Sequence, residues 1–179
     1  MTIAFWGESH RCNTTTHMQA IVDILSVMCQ DAGIVAGAFR GSGAEYCFLD
    51  CGMGLSVKKR HVLFHADLVV VNLRQEHACI RRFFEENPYM TRVCMARETL
   101  FLLEGYEGEA GIDSGYLERV YRVEPERICV LPYNNEYHLA LAQGKSRAFI
   151  EREYREGTIW NEQFMNELQR IATWIIRRK

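Results

Sequence analysis

A chain of 179 residues, 48% hydrophobic and 25% charged, is long enough to bury the core of one ordinary globular domain without staples. Its formal net charge of -2 leaves no electrostatic footprint for nucleic acid, so no nucleic-acid partner is expected. No apolar run is long enough to span a bilayer, and the opening MTIAFWGE lacks the basic and apolar regions of a signal peptide, which makes the cytoplasm the expected compartment.

Ile3 to Trp6 reads as a buried strand that opens into GESHRCNTTTHMQA, Gly7 to Ala20. Thr14 to Gln30 follows as a helix, because Met18, Ile21, Val22, Leu25 and Met28 fall on one face at i, i+3, i+4 spacing. A stretch with Gly33, Gly37, Gly41 and Gly43 encloses a short strand over Ile34 to Phe39, and Tyr46 to Leu49 is the next strand, ending at Asp50. Val57 to His65 is predicted as a helix and Leu68 to Val71 as the clearest strand. Gln75 to Glu86 is a helix that stops at Asn87-Pro88, since the residue before a proline is pushed out of the helical region. Leu100 to Leu103 is a strand, Ser114 to Tyr121 a helix, and Ile128 to Leu131 the last strand; helices over Glu136 to Gln143, Arg147 to Tyr154 and Trp160 to Arg177 follow.

Strands apolar on both faces, each followed by a helix, call for a mainly parallel sheet covered on both sides. The expected fold is therefore α/β, a three-layer sandwich forming one domain over residues 1–179. Right-handed crossovers place the loops after the strands along one sheet edge, where such folds bind ligands. Gly7–Asn13, Asp50–Gly54 and Pro132–Asn135 are the loops that stand out there.

The cysteines, at positions 12, 29, 47, 51, 79, 94 and 129, are odd in number and include no C-x-x-C pair, so they read as small buried hydrophobes. Cys47, Cys51, His61 and His65 have metal-ligand chemistry but not zinc-site spacing, and no structural metal is expected.

Asp50-Cys51-Gly52-Met53-Gly54 carries an Asp after an apolar strand and a glycine four residues on. In nucleotide hydrolases such an Asp holds the water shell of Mg²⁺, and the glycine lets the loop approach the terminal phosphate. With the order strand, loop ending in Thr14-Thr15, helix, and strand-Asp-x-x-x-Gly, the chain resembles the MinD/ParA-type P-loop ATPases with a deviant Walker A loop. More closely it resembles their degenerate TadZ-like members, which accompany Flp-type pilus genes. His65-Ala66-Asp67-Leu68-Val69-Val70-Val71-Asn72 is similar to the family's Ala-Asp-strand signature, and Leu131-Pro132-Tyr133-Asn134 to its late strand-Pro stretch near the base pocket. The resemblance implies ATP contacts at Gly7, Arg11, Asn13, Thr14, Thr15, Asp50, Gly54, Pro132 and Asn134, with Mg²⁺ held by Thr14 and Asp50.

The departures are informative. Glu8 and Asn13 fall where the family's two phosphate-loop lysines would stand, and Ser9, His10 and Cys12 replace glycines. Arg11 is the candidate substitute cation. Only the fifteen residues Asp31 to Glu45 fill the space of a strand, a switch loop and a helix, and no residue there can be assigned the role of the family's water-orienting aspartate. Positioning and electrostatics supply most of the gain in phosphoryl transfer, so efficient hydrolysis is not expected. The resemblance implies a shortened pseudo-ATPase working as a positioning or assembly factor with protein partners, in pilus or secretion machinery, and forming a homodimer. A weakly active Mg-ATPase using Arg11, Thr14 and Asp50, or an interaction domain binding no nucleotide, stays open beside it.

Local alternatives stay open too. Gly7–Thr15 also reads as a plain turn with Asn13 or Thr14 as N-cap, and Asp50 as a residue capping its own turn. Asn72 and Arg74, which end the strongest strand, read as structural, partner-facing or ligand-touching. Trp160, Phe164, Leu168, Ile171, Trp174 and Ile175 form an apolar stripe before Arg177-Arg178-Lys179, a pattern for a core helix or for peripheral membrane contact.

Overall fold

A computed structural model describes residues 1–9, 12–30, 32–37, 43–54, 56–105, 112 and 114–179. Its centre is a six-stranded sheet in the order β2-β3-β1-β4-β5-β6, every neighbouring pair parallel. The strands are β1 (Thr2–Gly7), β2 (Ile34–Ala36), β3 (Tyr46–Met53), β4 (Leu68–Arg74), β5 (Thr99–Gly105) and β6 (Ile128–Pro132). The period-2 alternation of side chains divides each strand between two cores. Ile3, Phe5, Phe48, Val70 and Leu102 face one side, where they meet α1 (Thr14–Met28), α7 (Ser146–Glu156) and α8 (Glu162–Ile176). Ala4, Trp6, Leu49, Val71 and Leu103 face the other, against α2 (Val57–His65), α3 (His77–Arg81), α4 (Pro88–Met95) and α5 (Ser114–Tyr121). This is the expected three-layer α/β sandwich.

Several elements depart from expectation. Strand β3 does not end at Asp50 but runs to Met53, with Asp50 opposite Phe5 and a register shift before Gly7 meets Met53. The predicted strand over 34–39 is a three-residue stub, Ile34–Ala36, on the sheet edge beside β3; positions 38–42 lie outside the described residues. Helix α3 begins at His77 rather than Gln75 and passes into a π-helical turn, Arg82–Glu86. Helix α4 has no counterpart in the sequence reading. Pro88 ends one helix but also starts the next, occupying the first turn where its missing N–H costs nothing.

Trp160 is not part of the buried stripe: it sits in a 3₁₀ turn, Ile159–Asn161, with 90% of its surface exposed. The rest of the stripe, Phe164, Leu168, Ile171, Trp174 and Ile175, is buried in the first core. Two residues of the basic end that follows α8 are paired, Arg178 with Glu98 at 3.0 Å and Lys179 with Glu45 at 2.8 Å. Helix α8 thus packs as a core helix, and among the described residues no helix is long and apolar enough to cross a membrane. A short helix, α6 (Asn135–Ala142), follows β6.

Candidate functional site

Growth of the sheet reverses at β1, whose neighbours are β3 on one side and β4 on the other. The crevice outside the carboxyl ends of these strands is where doubly wound sheets bind ligands. Strand β1 ends there at Gly7, and α1 starts seven residues later. A Cβ at Gly7 would stand 2.4 Å from Thr14 Oγ1, so only glycine lets the helix start this close to the strand. Gly7→Ala is expected to destabilise the fold by about 1–3 kcal/mol through overpacking. A denaturant midpoint unchanged from wild type would contradict that contact.

Among the described residues of the loop between them, two side chains turn inward. Cys12 is fully buried, its amide donating to the Ser9 carbonyl at 3.2 Å. The Glu8 carboxylate, with 7% side-chain exposure, turns toward α3: Arg82 Nε lies 2.9 Å from one oxygen and Cys79 Sγ donates to the other at 3.3 Å. The Cys12 thiol is lowered to about 6, chiefly by its hydrogen bond with Cys79, whose own thiol is pushed up by the same bond and by burial. Arg11 lies outside the described residues.

Asn13 precedes α1 in the left-handed region, at φ 42°, which Asn tolerates better than most residues. Its side chain does not cap the helix. Nδ2 donates instead to Glu104 Oε1, at the end of β5. The first N–H groups of α1 are thereby left to whatever lies above them. Burial pushes the Glu104 carboxyl up, and its second oxygen has no partner among the described residues. Behind it His17 Nδ1 lies 2.9 Å from Asn72 Oδ1, and Asn72 Nδ2 donates to the Trp6 carbonyl at 3.3 Å. Burial lowers His17 to about 4, so near neutrality its 4.0 Å approach to Glu104 is that of an uncharged imidazole.

Across the switch point, Thr15 Oγ1 donates to Asp50 Oδ2 at 2.5 Å, while Asp50 Oδ1 accepts from the Gly52 amide at 2.7 Å. Asp50 therefore caps its own turn and also reaches the first turn of α1. The hydroxyl it meets is that of exposed Thr15; Thr14 is buried against Gly7. Gly54, at φ 76°, offers its carbonyl to the Trp6 indole at 3.0 Å. A cation not singled out by the sequence, Lys59 of α2, donates to the Met53 carbonyl on the same rim.

Pro132 and Asn134 sit at the same carboxyl edge but after β6, with β4 and β5 between them and β1. Asn134 is structural in its contacts. Its Oδ1 accepts from Tyr137 N at 2.8 Å to cap α6, and its Nδ2 donates to Asn161 Oδ1 at 2.6 Å. Gly7, Asn13, Thr14, Thr15, Asp50 and Gly54 thus lie near the carboxyl ends of β1 and β3 and the start of α1, with Pro132 and Asn134 to one side. Glu104, His17 and Cys79 escaped the sequence reading. A carboxylate ending the otherwise apolar run Thr99–Gly105 was the available signal for the first.

No protein-family model matches the sequence, and no curated protein matches it. Solved structures do match. A plasmid partition protein from Borrelia burgdorferi bound to AMPPNP superposes with TM-score 0.67 at 7% identity, over 99% of each chain. The cell division ATPase MinD of Pyrococcus furiosus gives 0.66 at 10% identity, covering 98% of this chain and 99% of that one. A ParA family ATPase from Chlorobium tepidum gives 0.66 at 11%, covering 96% and 97%. With its all-parallel sheet, its switch point at β1 and these superpositions, the chain has the P-loop NTPase-like fold of the MinD/ParA ATPases.

Proposed function

We propose that this protein is a MinD/ParA-like nucleotide-binding domain that turns over ATP poorly and acts as a positioning or assembly factor through protein partners, as a degenerate, TadZ-like member serving pilus or secretion machinery would. The observation that carries the reading is the Thr15–Asp50 pair beside the uncapped start of α1. A hydroxyl and a carboxylate are hard oxygen donors that suit Mg²⁺, and the free N–H groups of a helix start suit phosphate. Asp50 and Thr15 would hold the ion, which would supply charge neutralisation for the phosphates; in this role Thr15 replaces buried Thr14. Gly7 and Gly54 would border the phosphates.

The weak-turnover part rests on the two lysine positions. Glu8 is an acid tied to Arg82 and Cys79, and Asn13 a neutral amide tied to Glu104, so neither position supplies the cation that a lysine would. Lys59 on the same rim and Arg11, the candidate from the sequence, are the substitutes to test. Calorimetry with Mg-ATP is expected to show binding, and Asp50→Ala to weaken it at least about 10-fold, roughly 1.4 kcal/mol, with loss of its Mg²⁺ dependence. Steady phosphate release abolished by Thr15→Ala would overturn the weak-turnover reading.

A domain that binds protein and no nucleotide is favoured by a different observation. Ile159 and Trp160 are 86% and 90% exposed on the turn before α8, a projecting apolar pair of the kind that anchors interfaces. Absence of any heat with Mg-ATP would leave this reading standing. The structural relatives include a MinC:MinD complex from Aquifex aeolicus. A homodimer formed across the crevice is the corresponding expectation for this chain, with the cytoplasm as its compartment.

A further inference from the structure

Beneath the loop after β1, two thiols and a carboxylate converge from distant parts of the chain. A carboxylate oxygen of Glu8, Cys12 Sγ and Cys79 Sγ all lie within 4.8 Å of one another. Glu8 and Cys12 come from the loop and Cys79 from the buried face of α3. We propose that Glu8, Cys12 and Cys79 form a binding site for Zn²⁺ that clamps the loop to α3.

The distances suit the ion. With Zn–S near 2.3 Å and Zn–O near 2.0–2.2 Å, tetrahedral sulfur and oxygen ligands stand about 3.5–3.8 Å apart. Cys79 Sγ and Glu8 Oε2 are already 3.3 Å apart. The two oxygens of Glu8 are divided between tasks: Oε1 is held by Arg82 at 2.9 Å, which leaves Oε2 aimed at the thiols. Outer contacts of this kind orient metal ligands. The sulfurs have them too. Ser9 Oγ lies 3.4 Å from Cys12 Sγ, and the Arg74 amide donates to Cys79 Sγ at 3.4 Å.

Charge closes the account. Two thiolates and one carboxylate carry three negative charges, and Zn²⁺ with the Arg82 guanidinium carries three positive ones. That balance is what a site with buried cysteines requires, because an uncompensated charge there is heavily penalised. Thiolates select zinc over Mg²⁺ or Ca²⁺, so this site and the oxygen pair at Thr15 and Asp50 would not compete for one ion. Spacing along the chain argued against a structural metal because the cysteines include no C-x-x-C pair; the parallel β1–β4 pairing brings Glu8 and Cys79, each beyond the end of its strand, together.

The test is titration of the reduced, metal-free full chain with Co²⁺ and Zn²⁺. One equivalent of Co²⁺, with a water as fourth donor beside the three protein ligands, is expected to give thiolate-to-metal charge-transfer absorption with tetrahedral visible bands, and one of Zn²⁺ to displace it. Cys12→Ser and Cys79→Ser are expected to weaken binding by more than about 100-fold and Arg82→Ala by about 10-fold. Cys94→Ser and Cys129→Ser, at buried cysteines outside the cluster, are expected to leave it unchanged. If the Cys12 and Cys79 variants do not fold, the wild-type Co²⁺ spectrum still decides. A spectrum without thiolate charge transfer, binding equally strong in the Cys12 and Cys79 variants, or two thiols that close into a disulfide and bind no metal once reduced, would each overturn the proposal.

Discussion

Trp6→Ala should lower stability by about 3–5 kcal/mol and the melting temperature by on the order of 10 °C. The indole is 2% exposed, lies 5.8 Å from the Phe83 ring between centroids, and donates to the Gly54 carbonyl. Truncation would open a cavity in the second core and remove the donor that holds the end of the β3 loop. Trp6→Phe separates the two effects. It should recover most of the stability while leaving the Gly54 carbonyl without this partner. Chemical denaturation of both variants checks the expectation, and a Trp6→Ala midpoint close to wild type would contradict the packing.

Acid should destabilise the protein through His17. Its ordinary value of 6.5 is lowered to about 4 in the folded state by burial. Below 6.5 the unfolded chain takes up a proton that the folded one refuses, so stability is fully present above that pH. It falls as pH drops toward 4 and then levels off. At about 1.4 kcal/mol per pH unit, the ceiling for this group is about 3 kcal/mol. His138, lowered in the same sense by burial, adds to the loss. Glu104 and Asp23 work the other way, because burial raises them and their folded forms hold protons the unfolded chain would release. The contribution of His17 is therefore the difference between wild type and His17→Gln in urea unfolding from pH 7 to pH 4. Parallel profiles would show that the ring charges freely in the folded protein.

How much was legible in advance follows from the kind of signal involved. The strands were readable because runs such as Leu68–Val71 are apolar on both faces, which only a covered parallel sheet accommodates. The order of elements then placed Gly7, Thr14, Thr15 and Asp50 at one edge. Helix α4 was missed because Pro88 was read only as a stop, although a proline suits a first helical turn equally well. Trp160 was misplaced because helical periodicity continues through the 3₁₀ turn, while the chain direction does not. Side-chain direction was the deeper limit. Thr14 and Thr15 are adjacent and chemically identical, yet Thr14 is buried against Gly7 while the hydroxyl of exposed Thr15 reaches Asp50. Cys12, Cys79 and Glu8 meet through strand pairing, which local spacing does not record.

The placement of the three indoles makes the protein its own fluorophore. Trp6 and Trp174 are enclosed, whereas Trp160 stands almost wholly in water. In a Trp160→Phe background the red-shifted, quencher-accessible emission disappears, and what remains comes from the two interior rings. Trp6 is hydrogen-bonded to the backbone four residues beyond Asp50, so its emission reports on the rim of the crevice without any attached label.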